Sequence, residues 1–237
     1  MTRFLLLFAG ALLLVTPTLA IADLSGDYAV TVIDQDGAKK TQVGKIFLDG
    51  TPKDQERAMR MEISGEEAGQ SMVFLTRPQD DTVFMLMPEN KTYFSLSMTD
   101  ATSKAPKAPG EGLEPSDFKE VGKERVNGIQ TVVKEAPMME NGKRTGTVRI
   151  FTAPSLNDEP IKSEIKSDEG VTTTAVIENP TTKAIPESQF RVPEGYTETK
   201  LPSVGKIFEE LGKDVEKEQK KEAGRGLEER LRKGLRF

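Results

Sequence analysis

Between Tyr28 and Glu178 apolar and polar residues alternate with a period of two, in short runs that end at turn residues. "YAVTVID" sets Tyr28, Val30 and Val32 against Ala29, Thr31 and Ile33, and "DQDG" at Asp34 to Gly37 then turns the chain. "RAMRMEIS" places Met59, Met61 and Ile63 on one side and Arg60 and Glu62 on the other, the mark of a half-buried strand. Asn127-Gly128 and Asn141-Gly142 are two-residue turns in which both central positions need positive φ, and such turns join antiparallel neighbours. "QVGKIFLDG", "QSMVFLTRP", "TVFMLM", "TYFSLSM", "TGTVRIFTA", "PIKSEIKS" and "GVTTTAVIE" extend the series to about eleven strands. The expectation is one mainly β domain, an antiparallel meander.

The chain begins with Arg3, an apolar run from Phe4 to Val15 and a small-x-small site at Ala20-Ile21-Ala22. This is the layout of a secretory signal peptide over 1–22, with cleavage after Ala22 and Asp23 as the first mature residue. A membrane anchor needs about 20 apolar residues without a break, and Thr16 and Pro17 interrupt this run. The sequence contains no cysteine, so neither a disulfide framework nor a lipidated first residue is available. The periplasm is the expected location.

The chain carries a net charge of −5, and removal of Arg3 with the leader makes the remainder more acidic. An acidic body argues against a nucleic-acid partner, because phosphate binding needs a basic face. Residues 101–117, "ATSKAPKAPGEGLEPSD", read as a flexible insert between strands of a β domain spanning 23–201. Beyond it, 202–237 is expected to be a helical, charged tail. Val204, Phe208, Leu211 and Val215 recur at helical spacing, and Leu227, Leu231 and Leu235 form a narrow stripe among arginines. Such a stripe fits either contact with anionic lipid or an envelope protein, or a solvated end.

Histidine is absent as well as cysteine, which excludes Ser-His-Asp and Cys-His nucleophile systems and histidine- or thiolate-held zinc. There is no phosphate-binding glycine loop or dinucleotide fingerprint. Glu66-Glu67 and Asp80-Asp81 sit in hydrophilic turns, where solvated charge is the ordinary state of a carboxylate. "DQDG" lacks the later glutamate of a calcium loop. No catalytic residue, cofactor or metal is expected.

"VFMLMPENKTYFSLSM", residues 83–98, gathers three methionines and three aromatics around a polar turn. With the neighbouring strands it yields a set of soft apolar residues: Met59, Met61, Ile63, Met72, Phe74, Met85, Met87, Phe94, Leu96 and Met98. Alternating apolar residues in strands usually pack a core. Methionine-rich surfaces also adapt to irregular apolar ligands. Both readings stand at this point, because "SMVFL" and "VFMLM" are apolar on both faces.

The segments "GKIFLDG…RAMRMEI", "TRPQDDTVFMLMPENKTYFSL", "GKERVNGIQTVVKEA", "TVRIFTAPSLNDEPIKSEI" and "PESQFRVPEGYTE" together resemble a family of exported bacterial proteins of unknown function. That family is similar to the LolA/LolB-like lipoprotein-carrier superfamily. The resemblance covers about Leu24 to Leu201, and its most specific elements are the "MLMPENKTY" hairpin and the closing Phe190-x-Val192-Pro193-x-Gly195-Tyr196. It implies a half-open antiparallel β-barrel of about eleven strands with an apolar concave face that takes up lipid, and no catalytic residues. LolA-like carriers place a lid helix before the first strand. This chain enters its first strand within about five residues of Asp23, so cover must come from the insert, the tail or side chains. Two functions follow: a non-catalytic periplasmic protein holding a lipid, acyl chain or lipidated partner, or a structural or assembly protein of the envelope with a packed core and a protein-docking tail.

Overall fold

The computed structural model describes residues 23–50, 57–64, 71–99, 113–140 and 142–199. The expected leader 1–22, most of the insert and the tail 202–237 lie outside the described residues, as does the turn holding Glu66 and Glu67. Twelve strands form one sheet: β1 (Leu24–Ile33), β2 (Lys39–Leu48), β3 (Met59–Ser64), β4 (Met72–Arg77), β5 (Thr82–Met87), β6 (Thr92–Ser97), β7 (Lys119–Val126), β8 (Ile129–Glu140), β9 (Lys143–Ala153), β10 (Glu159–Ser167), β11 (Thr172–Thr181) and β12 (Thr197–Glu198). Their order across the sheet is β12-β6-β5-β4-β3-β2-β1-β11-β10-β9-β8-β7.

Every pair from β6 to β7 in that order is antiparallel, as the turn residues require. Asn127 and Gly128 take φ of 50° and 82°, the positive pair expected of their turn. The first strand pairs with the last long one, β1 with β11, and so joins two meanders into one sheet. β12 and β7 end the order and do not pair with each other, so the barrel is not closed. The sequence pattern accounts for the eleven long strands. The twelfth is a two-residue parallel addition to β6, too short to carry any periodicity.

Register shifts bend the sheet between β1 and β11 at Ser25–Asp27, in β7 at Glu120–Gly122, in β9 at Arg144–Gly146 and in β10 at Pro160–Lys162. At Gly44 of β2 the backbone of β3 comes close. A Cβ there would stand 1.9 Å from the Glu62 carbonyl oxygen, so no other residue fits without parting β2 from β3.

Register assigns each side chain to a face. The largest buried cluster joins Leu24, Tyr28 and Val30 of β1 to Ile46 and Leu48, Met59, Met61 and Ile63, Phe74, and Ala175 and Ile177. These residues share what we term the methionine face. On the other half of the sheet, Val148, Ile150 and Ile165 continue that face, with Leu113 and Phe118 packed against them. Leu113 lies near the end of the segment 101–117, so that end packs on the sheet.

The opposite face has its own cover. Val73, Leu75 and Leu86 are buried there beneath Val192 and Tyr196. Glu187–Phe190 forms a short 3-10 turn with Phe190 buried, and Arg60 Nη1 donates to the Gln189 carbonyl oxygen at 3.2 Å. Thr197 N–H then donates to Lys91 O and Thr199 N–H to Tyr93 O, fixing β12 along β6. The closing motif is thus a strap over β3 to β6. It explains why "SMVFL" and "VFMLM" are apolar on both sides: one side meets the strap and the other is the methionine face.

Candidate functional site

Cross-strand pairing arranges the soft apolar residues in rows. Met61 faces Phe74, Phe74 faces Met85, and Met85 faces Phe94, one row across four strands. A parallel row runs Met59, Thr76, Val83, Leu96, and a third pairs Ile63 with Met72. Met87 stands opposite Thr92 at the far end of β5. Nine of the ten residues therefore share the methionine face. Met98 follows the end of β6, and its N–H donates to the Asp81 carbonyl oxygen at 2.9 Å.

Burial divides the set. Met59, Met61, Ile63 and Phe74 are core residues, between 2% and 6% exposed. Met72 and Met85 are half-buried against that core, and Met87, Phe94, Leu96 and Met98 are half-buried toward the β6 edge. Half-exposed soft surface therefore begins at Met72 on β4 and continues over β5 and β6, the hairpin that the sequence singles out. Phe84 and Tyr93 of this hairpin pack edge to face on the opposite side, 5.9 Å between centroids, beneath the strap.

Three buried hydroxyl-bearing residues interrupt the apolar face. Tyr28, Ser163 and Thr152 are 5%, 0% and 4% exposed. Their side-chain oxygens are buried and make no hydrogen bond. Burial raises the Tyr28 pKa well above the ordinary phenol range, so it stays neutral. Sequence reading passed over all three. "YAVTVID" gives Tyr28 only as one member of the Tyr28, Val30, Val32 side, and a single Ser or Thr within an alternating strand is an ordinary choice.

The charged groups are engaged elsewhere. Asp81 accepts hydrogen bonds from Ser97 Oγ at 2.6 Å and from Thr99 N–H and Oγ1 at 3.0 Å each, which hold its pKa below the usual carboxylate range. Its carboxylate thus ties the start of β5 to the end of β6. On the opposite face a cleft of about 260 Å³ is lined by Glu135, Arg144, Arg149, Glu164, Lys166 and Asp168, among others. Arg149 donates to Glu135 at 2.7 Å and Lys162 to Glu164 at 2.8 Å, with the Lys162 ammonium 4.3 Å over the Phe151 ring. Its cations and anions balance and pair across strands, as expected of a solvated sheet face.

Arg57 and Glu159 form a buried pair. Arg57 Nη1 donates to both Glu159 oxygens at 2.8 and 2.9 Å, and its Nε donates to the Asp49 carbonyl oxygen. Glu159 is 1% exposed, and desolvation raises its pKa despite the opposing pull of Arg57. The pair joins the connection before β3 to the start of β10, 102 residues apart.

Among the described residues no helix is long and apolar enough to cross a membrane. Among solved structures the chain is similar to an uncharacterized conserved protein from Thermus thermophilus, at 10% identity, covering 85% of this chain and 100% of that one, with a TM-score of 0.48. It is similar to a LolA superfamily protein from Nitrosomonas europaea at 12% identity, covering 80% of this chain and 96% of that one, with a TM-score of 0.36. A third likeness is to the Pseudomonas aeruginosa MucA/MucB complex, at 16% identity, covering 78% of this chain and 59% of that one, with a TM-score of 0.45. No curated protein matches the sequence. The model of a domain of unknown function, DUF4412, matches residues 49–133, a stretch that holds all ten soft apolar residues. Over that stretch the chain is similar to the DUF4412 family, a family of unknown function.

Proposed function

We propose that this is an exported, non-catalytic periplasmic binding protein that holds a lipid, an acyl chain or a lipidated partner against the methionine face. One observation carries the reading. Apolar residues on that face grade from buried on β3 and at Phe74 to half-buried at Met72 and on β5 and β6, while Val73, Leu75 and Leu86 on the other side are buried beneath the strap. A face needed only for packing would gain from being covered as the opposite one is, since each buried large side chain contributes about 1.5–3 kcal/mol. Flexible thioethers at Met72, Met85 and Met87 suit a ligand of irregular shape.

The contact set follows from burial. Met72, Met85, Met87, Phe94 and Leu96 touch the cargo, Met98 lies at the margin, and Met59, Met61, Ile63 and Phe74 form the floor beneath. An envelope protein docking through the tail is a further partner of this reading, and nucleic acid is not one.

Uptake from membranes tests it. The protein would be incubated with phosphatidylethanolamine vesicles carrying a radiolabelled acyl chain, then separated from them by gel filtration. Label co-eluting with the folded protein supports the reading. Label confined to the vesicles, with the protein still folded, would sink it. The protein would then be better explained as an assembly factor acting through protein contacts.

A further inference from the structure

The three buried hydroxyls occupy one region of the methionine face. Val30, Ala175, Ser163 and Ile150 form a single row across β1, β11, β10 and β9. Tyr28 lies two residues before Val30, opposite Ile177, and Thr152 lies two residues after Ile150, opposite Pro160. Because neighbouring strands run antiparallel, both lie on the same side of the Ser163 row. Tyr28 and Ser163 are thus two strands apart and Tyr28 and Thr152 three, or about 10 and 15 Å before curvature. The Pro160–Lys162 bulge sits among them. On β2 the residue opposite Tyr28 is Gly44, which presents no side chain to the phenol ring.

Unpaired buried hydroxyls are rare because each forfeits its hydrogen bond to water without replacement. Three on one face, surrounded by Val30, Ile150, Ala175 and Ile177, form a polar island in apolar surroundings. Neutral hydroxyls in such a setting suit neutral acceptors and disfavour an ionised head, which would be desolvated without a countercharge. Their spread over two to three strands exceeds the reach of a single carbonyl and matches two acceptors joined by a short linker.

We infer that Tyr28, Ser163 and Thr152 form a head subsite for the ester carbonyls of a diacyl lipid, whose acyl chains extend over Met72, Met85 and Phe94. The inference rests on the apolar-face reading above and adds to it the class of cargo. Tyr28 donates to one ester carbonyl oxygen, Ser163 and Thr152 to the other, and the chains leave toward β5 and β6, where the face is half-exposed.

The test compares 1,2-dilauroylglycerol with its diether analogue 1,2-didodecylglycerol, which has the same chain length and glycerol hydroxyl but no carbonyl. Each competes with an apolar fluorescent dye for the full mature protein. The diester is expected to bind about tenfold more tightly than the diether, the scale of one to two net hydrogen bonds. That preference disappears in the triple variant Tyr28→Phe, Ser163→Ala, Thr152→Val, in which diester and diether bind alike. Without ligand, Tyr28→Phe and Ser163→Ala alone are expected to melt no lower than the wild type, since they remove polar atoms that have no partner.

Equal binding of diester and diether by the wild type, or a preference that survives in the triple variant, overturns the subsite and leaves the apolar-face reading intact. A marked fall in the ligand-free melting temperature of Tyr28→Phe also overturns it, because the hydroxyl then has an internal partner. If neither lipid displaces the dye, the apolar-face reading falls and the subsite with it.

Discussion

At the scale of single residues, Glu159 gives the sharpest pH signature. Its pKa is raised by burial in the folded protein and is ordinary in the unfolded chain. The folded state therefore binds more protons than the unfolded state from the usual carboxylate range upward, and this group's contribution to stability falls as pH rises through that window. Glu159→Gln resembles the protonated acid and escapes the effect. The variant is expected to gain stability relative to the wild type between about pH 4.5 and pH 7.5. Urea unfolding of both proteins at the two pH values measures it, and a difference independent of pH contradicts the account. Neither partner of this pair was legible in the sequence. Arg57 and Glu159 are 102 positions apart, and no local pattern encodes a contact that only the sheet order creates.

At the scale of strands, burial divides the soft apolar set. Met61, 2% exposed, lies in the densest part of the core. Met61→Ala is expected to cost about 2–5 kcal/mol through lost burial and a residual cavity. Met87 is half-buried at the end of β5 and outside that core. Met87→Ala is expected to cost less than about 1 kcal/mol. Chemical denaturation of the two variants decides it, and equal losses would mean that the face is packed alike throughout. Period-two alternation made the strands and the shared face of Met59, Met61 and Ile63 readable in advance. It could not assign faces on β4 and β5, because "VFL" and "MLM" are apolar on both. The strap resolves this: Val73, Leu75 and Leu86 meet Val192 and Tyr196, and the alternate residues are left to the methionine face. The closing motif was recognisable from its Phe, Val, Pro, Gly and Tyr, but its place against strands about 100 residues earlier depends on tertiary packing.

At the scale of the whole molecule, one open sheet is covered on its two faces by different parts of the chain. Phe190, Val192 and Tyr196 anchor the strap over β3 to β6, and at about 1.5–3 kcal/mol for each large side chain its removal should cost roughly 5 kcal/mol. A chain ending after Glu198 is expected to unfold cooperatively, and one ending at Pro186 to melt far lower and to expose Val73, Leu75 and Leu86. Calorimetry with dye binding compares them, and equal melting temperatures would remove the strap from the account. The single mainly β domain and its antiparallel order were legible because turns and alternation are local signals. The open edges, the parallel β12 and the two-sided cover were not, since each arises between segments distant in sequence.

The central claim is that the half-exposed methionine face holds an apolar cargo. Its most direct test is native lipid mass spectrometry of residues 23–237, expressed with export to the periplasm and purified without detergent. The account predicts a stoichiometric acyl-chain species that is absent from a folded Met85→Asp, Met87→Asp variant. A folded, monodisperse wild-type protein that carries no lipid, or a variant that retains the same species, would contradict it.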